Sequence, residues 1–170
     1  MKKHMFILII ILLILSLTLQ PVFAEMKMTD EVDAVVSQAI YQTKNILIKQ
    51  STPDEIRNII NHVRKAGATG YKVNNHDGGK MGWSIQDSKK RVVHSIVFTF
   101  NKNKASEGVY YGPLMASQQI AREVHDLHIE VLLKHFKQVG TDKYDFGDNC
   151  EGVISLLKGQ TTILITCNNN

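Results

Sequence analysis

Two histidines in this sequence have the spacing of a metal-chelating pair. His125 and His128 stand three residues apart in the stretch REVHDLHIEVLLKHF. If that stretch is helical, both imidazoles project from one side of the helix, where they could hold a metal ion. His135 lies two turns further along, about 10 Å away, which is too far to complete the same site. Because no third ligand is identifiable, the alternative is that these histidines are buried or half-buried parts of the packing.

The two cysteines of the chain, Cys150 and Cys167, suit a disulfide across a β-hairpin. Counting outward from a two-residue turn at Lys158-Gly159 places them directly opposite each other. They then occupy a non-hydrogen-bonded pair, where side chains come closest. Lysine is not favoured at the first turn position, and a turn centred on Gly159-Gln160 would shift the cysteines out of opposition. A redox pair would more typically read Cys-x-x-Cys, and a metal site needs more ligands. We therefore predict a structural disulfide.

Basic residues are concentrated in the middle of the chain. From Arg57 to Lys104 there are ten Lys or Arg and two acids, whereas residues 105–170 carry five bases and eight acids. A basic centre of this kind is suited to an anionic lipid headgroup or an acidic protein, with Trp83 or the Tyr110-Tyr111 pair as aromatic contacts beside it. The alternative is that lysines at a solvated turn protect strand edges from aggregation. Nucleic acid is not favoured, because the aromatics are not interleaved with the bases. The candidate anion-binding residues are Arg57, Arg64, Lys89, Lys90 and Arg91.

Motifs for catalysis are lacking in the sequence. It has no G-x-S-x-G elbow and no H-E-x-x-H, and no Gly-rich loop in the strand-to-helix context that binds phosphate. We predict no cofactor. Tyr110 and Tyr111 precede a predicted helix and are candidates for the mouth of a ligand site, with core or rim packing as the alternative. The sequence favours a binding protein over an enzyme.

The N-terminus has the layout of a bacterial-type secretory signal peptide. Lys2 and Lys3 precede an apolar run from Phe6 to Leu19, and small residues stand at the −3 and −1 positions of a cut before Glu25. A retained membrane anchor is the alternative, but the run is shorter than the about 20 residues that span a bilayer. We expect residues 1–24 to be removed and the mature chain to be exported, to the periplasm or beyond. An oxidising compartment is where a disulfide persists.

The mature chain, residues 25–170, is expected to form a single α+β domain. Apolar periodicity, with Val35 and Val36 among the repeating positions, predicts a first helix. A capping box of Thr52 and Glu55 with Pro53 at the first helical position predicts a second. The predicted buried stripe of the second helix is Ile56, Ile59, Ile60 and Val63. Three strands in an antiparallel meander follow, then one long helix and the C-terminal disulfide-linked hairpin. This order resembles that of cystatin-like and NTF2-like domains, in which helices pack on a curved antiparallel sheet. The predicted elements are a helix over 29–50, a second helix ending at Gly67, strands over 70–73, 81–87 and 91–101, a loop over 102–112, a helix over 113–139, a loop over 140–149 and a hairpin over 150–167.

These observations predict a small exported binding protein. Its ligand would be an anionic lipid headgroup or another acidic partner, contacted through a basic central hairpin. One alternative is a metal-binding protein or enzyme that uses the histidines of the long helix. Another is an interaction subunit of an envelope or secretion assembly. No transmembrane segment is expected after cleavage of the signal peptide, and the oligomeric state is not indicated.

Overall fold

The structure is a computed structural model, and it describes residues 32–65, 72–76, 79–86 and 92–168. Within these residues the chain forms helices, which we number α1 to α3, and strands, β1 to β8. They follow one another as α1 (32–48), α2 (Pro53–Lys65), β1 (Lys72–His76), β2 (Lys80–Gln86), β3 (Val92–Asn101), β4 (Lys104–Leu114), α3 (Gln118–His135), β5 (Lys137–Gly140), β6 (Lys143–Gly147), β7 (Cys150–Leu157) and β8 (Gln160–Cys167).

The strands form one antiparallel sheet in the order β1-β2-β3-β4-β8-β7-β6-β5. Two meanders of four strands, separated in sequence by α3, therefore join through the pairing of β4 with β8. The helices lie over one face, and the core fills the space between. The α+β class is confirmed. Fully buried members of the core include Ile40, Leu47, Ile56, Ile60, Ile96, Phe98, Tyr110, Leu132, Tyr144, Ile154, Ile163 and Ile165.

The start of α2 is the capping box that the sequence predicts. The backbone N–H of Thr52 donates to Glu55 Oε2 at 2.7 Å, and the Glu55 N–H donates to Thr52 Oγ1 at 3.4 Å. Ile56 and Ile60 are buried, as expected from their spacing. Ile59 is 42% exposed, so its prediction as part of the buried stripe is wrong. Ile59 lies about 100° around the helix from the buried Ile60, so its side chain points partly to solvent.

The predicted loop over 102–112 is wrong, because most of it is strand β4. Lys102 and Asn103 have positive φ and form a tight turn, so that Asn101 pairs with Lys104 and the chain returns along β3. Two of the positions that face the core are glycines, Gly108 and Gly112, which gives β4 a weak apolar pattern. These glycines leave room for the helices.

The loop over 140–149 is also wrong in part. Residues 137–147 form β5 and β6, and the next turn uses Asp148 and Asn149, both with positive φ. Tyr144 and Phe146 alternate into the core between charged neighbours, a pattern too short to stand out. The long helix is shorter than predicted, since Pro113 belongs to β4 and β5 begins at Lys137. With eight strands in two meanders, the similarity to cystatin-like and NTF2-like domains is not confirmed.

The C-terminal hairpin matches the prediction residue by residue. Lys158 and Gly159 form the turn with φ of 50° and 80°, despite the poor suitability of lysine. Cys150 pairs with Cys167, and the two form a disulfide with a Cα–Cα distance of 4.0 Å. The N–H of Asn168 donates to the carbonyl of residue 149 in the next pair, which fits the non-hydrogen-bonded position expected for the cysteines. A bridge closing a loop of this size stabilises the fold by about 3 kcal/mol.

Candidate functional site

A cavity of about 490 Å³ opens between the first half of α1, strand β4 and helix α3. Its volume lies within the range of about 300–1,000 Å³ typical of small-molecule sites. Among the described residues the walls are almost wholly apolar, and one tyrosine and one histidine supply the polar groups. The lining residues are Val32, Ala34, Val35, Val36, Tyr110, Pro113, Met115, Val124, Leu127 and His128.

Glycines in β4 allow the helices to approach the sheet around this cavity. A Cβ added at Gly108 would overlap Thr43 of α1. A Cβ added at Gly112 would lie 3.3 Å from His128 Nε2 of α3. Because the helices sit close on β4 at these two points, the side chain of Tyr110 between them is 1% exposed. It is held at the base of the cavity.

Tyr110 and His128 form a hydrogen-bonded pair at that base. His128 Nδ1 lies 2.6 Å from the carbonyl oxygen of Val124, which can only accept, so Nδ1 carries the proton. In the neutral ring, Nε2 is then an acceptor, and the Tyr110 hydroxyl donates to it over 3.2 Å. The tyrosine oxygen keeps lone pairs that can accept from a ligand. The pair is therefore a fixed, uncharged acceptor in apolar surroundings.

His94 extends this polar cluster on the far side of Tyr110. The two rings stack with centroids 5.8 Å apart, and His94 is 5% exposed. Its Nδ1 is buried and makes no hydrogen bond to any residue in the described ranges. Burial, reinforced by the neighbouring His128, lowers the pKa of His94 to about 4. This ring is accordingly neutral at physiological pH.

Burial also keeps the Tyr110–His128 pair uncharged. It raises the pKa of the Tyr110 hydroxyl and lowers the pKa of His128, although the bond to the Val124 carbonyl partly opposes the latter shift. A site that keeps its tyrosine protonated and its histidine neutral cannot attract a charged group by ion pairing. It suits a ligand that is apolar where it meets the base of the cavity.

The predicted metal pair, His125 and His128, is found on one side of α3, with Nδ1 of His125 and both nitrogens of His128 hydrogen-bonded to other groups. His125 Nδ1 lies 3.3 Å from Thr161 Oγ1, and both nitrogens of His128 are hydrogen-bonded. Burial lowers the pKa of His125 as well. Across the described part of the chain, no group of three or more His, Cys, Asp or Glu is placed to hold a metal. Metal binding by the pair would require His128 to leave Tyr110 or Val124, and it stays a prediction.

Most of the predicted anion-binding residues fall outside what the structure describes. Lys89, Lys90 and Arg91 lie beyond the described residues, and so does the side chain of Arg64. Arg57 is on the exposed side of α2, where its Nη1 is 2.5 Å from Asp54 Oδ1. The anionic partner stays a prediction. One supporting idea is wrong, because Trp83, suggested as an aromatic contact with lipid, is 4% exposed in the core.

Helix α1, which forms one wall of the cavity, is held near both of its ends by ion pairs. Asp33 near its start binds Lys134 and lies 2.6 Å from His135 Nε2, at the end of α3. The lysine contact, with help from the histidine, lowers the pKa of Asp33 to about 2. Lys44 near the other end donates to Asp148 at 2.8 Å and to the Phe146 carbonyl at 3.0 Å. These contacts hold α1 across the sheet.

Some of this site could be found in the sequence. Tyr110 was a candidate for the mouth of a ligand site, with core or rim packing as the alternative, and it is both buried and part of the cavity wall. Val35 and Val36 belong to the predicted buried stripe of the first helix, yet Val35 is only half-buried and borders the cavity. No pattern in the sequence indicated that His94 and His128 would flank the same tyrosine.

Comparison of the chain with protein-family models, with curated proteins and with solved structures gave no match. In the described part of the chain, no helix combines the length and the apolar character needed to cross a membrane. The function is therefore argued from the geometry of the cavity.

Proposed function

We propose that this protein is an exported binding protein that takes an acyl chain, or an apolar molecule of similar size, into the cavity between α1 and α3. The observation that carries the proposal is the cavity itself, whose walls are aliphatic apart from the Tyr110–His128 pair. Export is supported by the disulfide between Cys150 and Cys167, which suits an oxidising compartment. No nucleophile or metal centre is needed for this function.

The Tyr110–His128 pair at the base determines which end of an amphiphilic ligand lies deepest in the cavity. Because Tyr110 and His128 are neutral and bonded to each other, a carboxylate or phosphate placed there would be desolvated without a counter-charge. The apolar end of an amphiphile fits the base, and its polar head stays at the mouth. A hydroxyl or amide N–H on the buried part would find an acceptor in the Tyr110 oxygen.

The test is titration of the exported protein with a fluorescent polyene fatty acid. Filling the cavity with Val35→Phe and Val124→Phe together is expected to weaken binding about tenfold or more, since added rings occupy the space of the chain. Leu133→Phe is the matched control, because Leu133 is 52% exposed on α3 and is not among the residues that line the cavity. Equal affinity in the filled variant and the parent, or binding of glycerol phosphate that has no chain, would contradict the proposal.

We retain as a second proposal that the basic centre of the sequence contacts the anionic headgroup of such a lipid. It is favoured by the ten Lys or Arg against two acids between Arg57 and Lys104. Co-sedimentation with anionic vesicles is expected to fall when Lys89, Lys90 and Arg91 are replaced together by alanine, and to fall as salt rises. Unchanged binding in that variant would remove this surface from the account.

A further inference from the structure

The sheet face that points away from the helices carries an ordered pattern of side chains. Its centre is an aliphatic row of four residues that pair directly across four adjacent strands: Val97, Val109, Leu164 and Val153. Val97 and Val109 are half-buried, while Leu164 and Val153 are 39% and 42% exposed. An aliphatic row at the middle of an open sheet is typical of a surface that a partner covers.

A charged row lies beside the aliphatic row, in register with it. Threonine and glutamate alternate along its centre, Lys80 ends it on β2 and Asp145 ends it on β6. The central members, in order across the sheet, are Thr99, Glu107, Thr166 and Glu151. On the other side of the aliphatic row lies a hydroxyl row, which consists of Ser84, Ser95, Tyr111, Thr162 and Ser155.

We propose that this face binds a second copy of the chain, with a two-fold axis parallel to the strands between β4 and β8. That axis exchanges β4 with β8, β3 with β7 and β2 with β6, which the strand order makes symmetric. Val109 then faces Leu164 of the other copy, and Val97 faces Val153. The aliphatic rows meet each other along their whole length.

Charge complementarity selects this axis. Under it Lys80 faces Asp145 of the other copy, and because of the symmetry this opposite-charge pair forms twice. Glu107 faces Thr166, and Glu151 faces Thr99. Lys143, which ends the aliphatic row on β6 and lies 2.7 Å from Glu151 of its own copy, faces Gly82. No like charges therefore lie directly opposite each other within the three rows. An axis along the aliphatic row would instead place the charged row on the hydroxyl row and leave Lys80 without a carboxylate opposite.

The size of the face is adequate for a specific dimer. Six strands at about 4.8 Å and three rows of side chains give roughly 600 Å² of sheet per copy, or about 1,200 Å² over both. That exceeds the about 1,000 Å² expected of a specific interface. Two sheets packed in this way would form a sandwich with the helices on its outer surfaces.

Sedimentation equilibrium of the exported protein tests the proposal. We expect a dimer at about 100 μM, a concentration at which even a dissociation constant of about 10 μM gives mostly dimer. Leu164→Glu is expected to give a monomer, because it places charge at the centre of the contact. Leu133→Glu is the matched control, since Leu133 is an exposed leucine on α3, and it should remain dimeric. Far-UV circular dichroism and Trp83 fluorescence establish that each variant is folded.

A second test exchanges the charges of Lys80 and Asp145, which face each other across the proposed interface. Lys80→Glu is expected to weaken the dimer about tenfold or more, and adding Asp145→Lys to it should recover most of the loss. Lys80→Arg should change little. A monomeric parent protein, a dimer that Leu164→Glu leaves intact, or a Lys80→Glu variant that its partner change does not rescue would each overturn the proposal.

Discussion

The Tyr110 hydroxyl connects the sheet to α3 at the base of the cavity. It donates to His128 Nε2, and the other nitrogen of His128 is held by the Val124 carbonyl, so the tautomer is fixed from both sides. Burial of all three rings of the cluster, His94 included, makes charge there unfavourable. The result is a site that recognises shape and apolar surface, with one oriented acceptor.

Removing the Tyr110 hydroxyl should therefore destabilise the protein. Tyr110→Phe leaves the Nε2 acceptor of His128 buried without its donor, which typically costs about 1–3 kcal/mol of unfolding free energy. Urea unfolding followed by the fluorescence of Trp83, the single tryptophan, measures the change. Tyr111→Phe is the control, because the side chain of Tyr111 lies on the opposite face of the sheet and is half-buried. Equal stability of Tyr110→Phe and the parent would show that the bond contributes little.

At this scale the sequence predicted positions better than partners. The i, i+3 spacing of His125 and His128 correctly placed both on one side of a helix. Their hydrogen-bond partners, Thr161 and Tyr110, come from strands that lie beside each other in the sheet. Because β4 was predicted to be a loop, the sequence could not bring Tyr110 under the helix.

The strands show how small residues conceal an element from sequence analysis. β4 places Gly108 and Gly112 toward the helices, and β7 places Gly152 under the ring of Phe146. In each case the partner side chain fills the space that a larger residue would take. The apolar pattern of β4 weakens for the same reason, whereas the C-terminal hairpin was predictable because Ile154, Ile163 and Ile165 keep its apolar alternation despite Gly152.

Replacement of Gly152 tests this packing at the scale of one element. A Cβ at this position would overlap the Phe146 ring, so Gly152→Ala is expected to cost about 1–3 kcal/mol of stability through overpacking. Gly140→Ala is the matched control, because its added Cβ meets only Lys143 Cβ, at 3.6 Å. Thermal unfolding of both variants gives the comparison. A Gly152→Ala protein as stable as Gly140→Ala would mean that Phe146 moves aside without cost.

For the molecule as a whole, the sequence predicted the class and the disulfide but not the architecture. Local signals identified the capping box of α2 and the register of β7 and β8. The pairing of β4 with β8 joins segments about 50 residues apart, and no local pattern specifies it. The cavity depends on that pairing, since it brings α3 across β4 beside α1.

The stability of the whole protein should decrease as pH is lowered, in two separate pH windows. His94 has a folded pKa of about 4 against a usual value of 6.5, so between these values the unfolded chain binds a proton that the folded chain does not. Its contribution is present above pH 6.5 and is lost as pH falls to about 4. Asp33 has a folded pKa of about 2 against a usual value of 3.8, so its contribution is lost as pH falls between these two values.

Unfolding free energies measured from pH 8 to pH 2 distinguish the two groups. His94→Phe should make the decline between pH 6.5 and about 4 shallower, without abolishing it, because burial also lowers the pKa of His125 and His128. Asp33→Asn should affect only the decline between about 4 and 2. If the His94→Phe profile runs parallel to that of the parent, buried His94 is not the group responsible.

The most direct test of the cavity as a ligand site is methyl NMR of the exported protein during titration with a fatty acid. The account predicts saturable shifts for the methyl groups of Val35, Val124 and Leu127, which line the cavity. Those of Val97, Val153 and Leu164, on the opposite face of the sheet, should stay in place. Shifts confined to the opposite face, or no shifts at saturating ligand, would contradict the central claim.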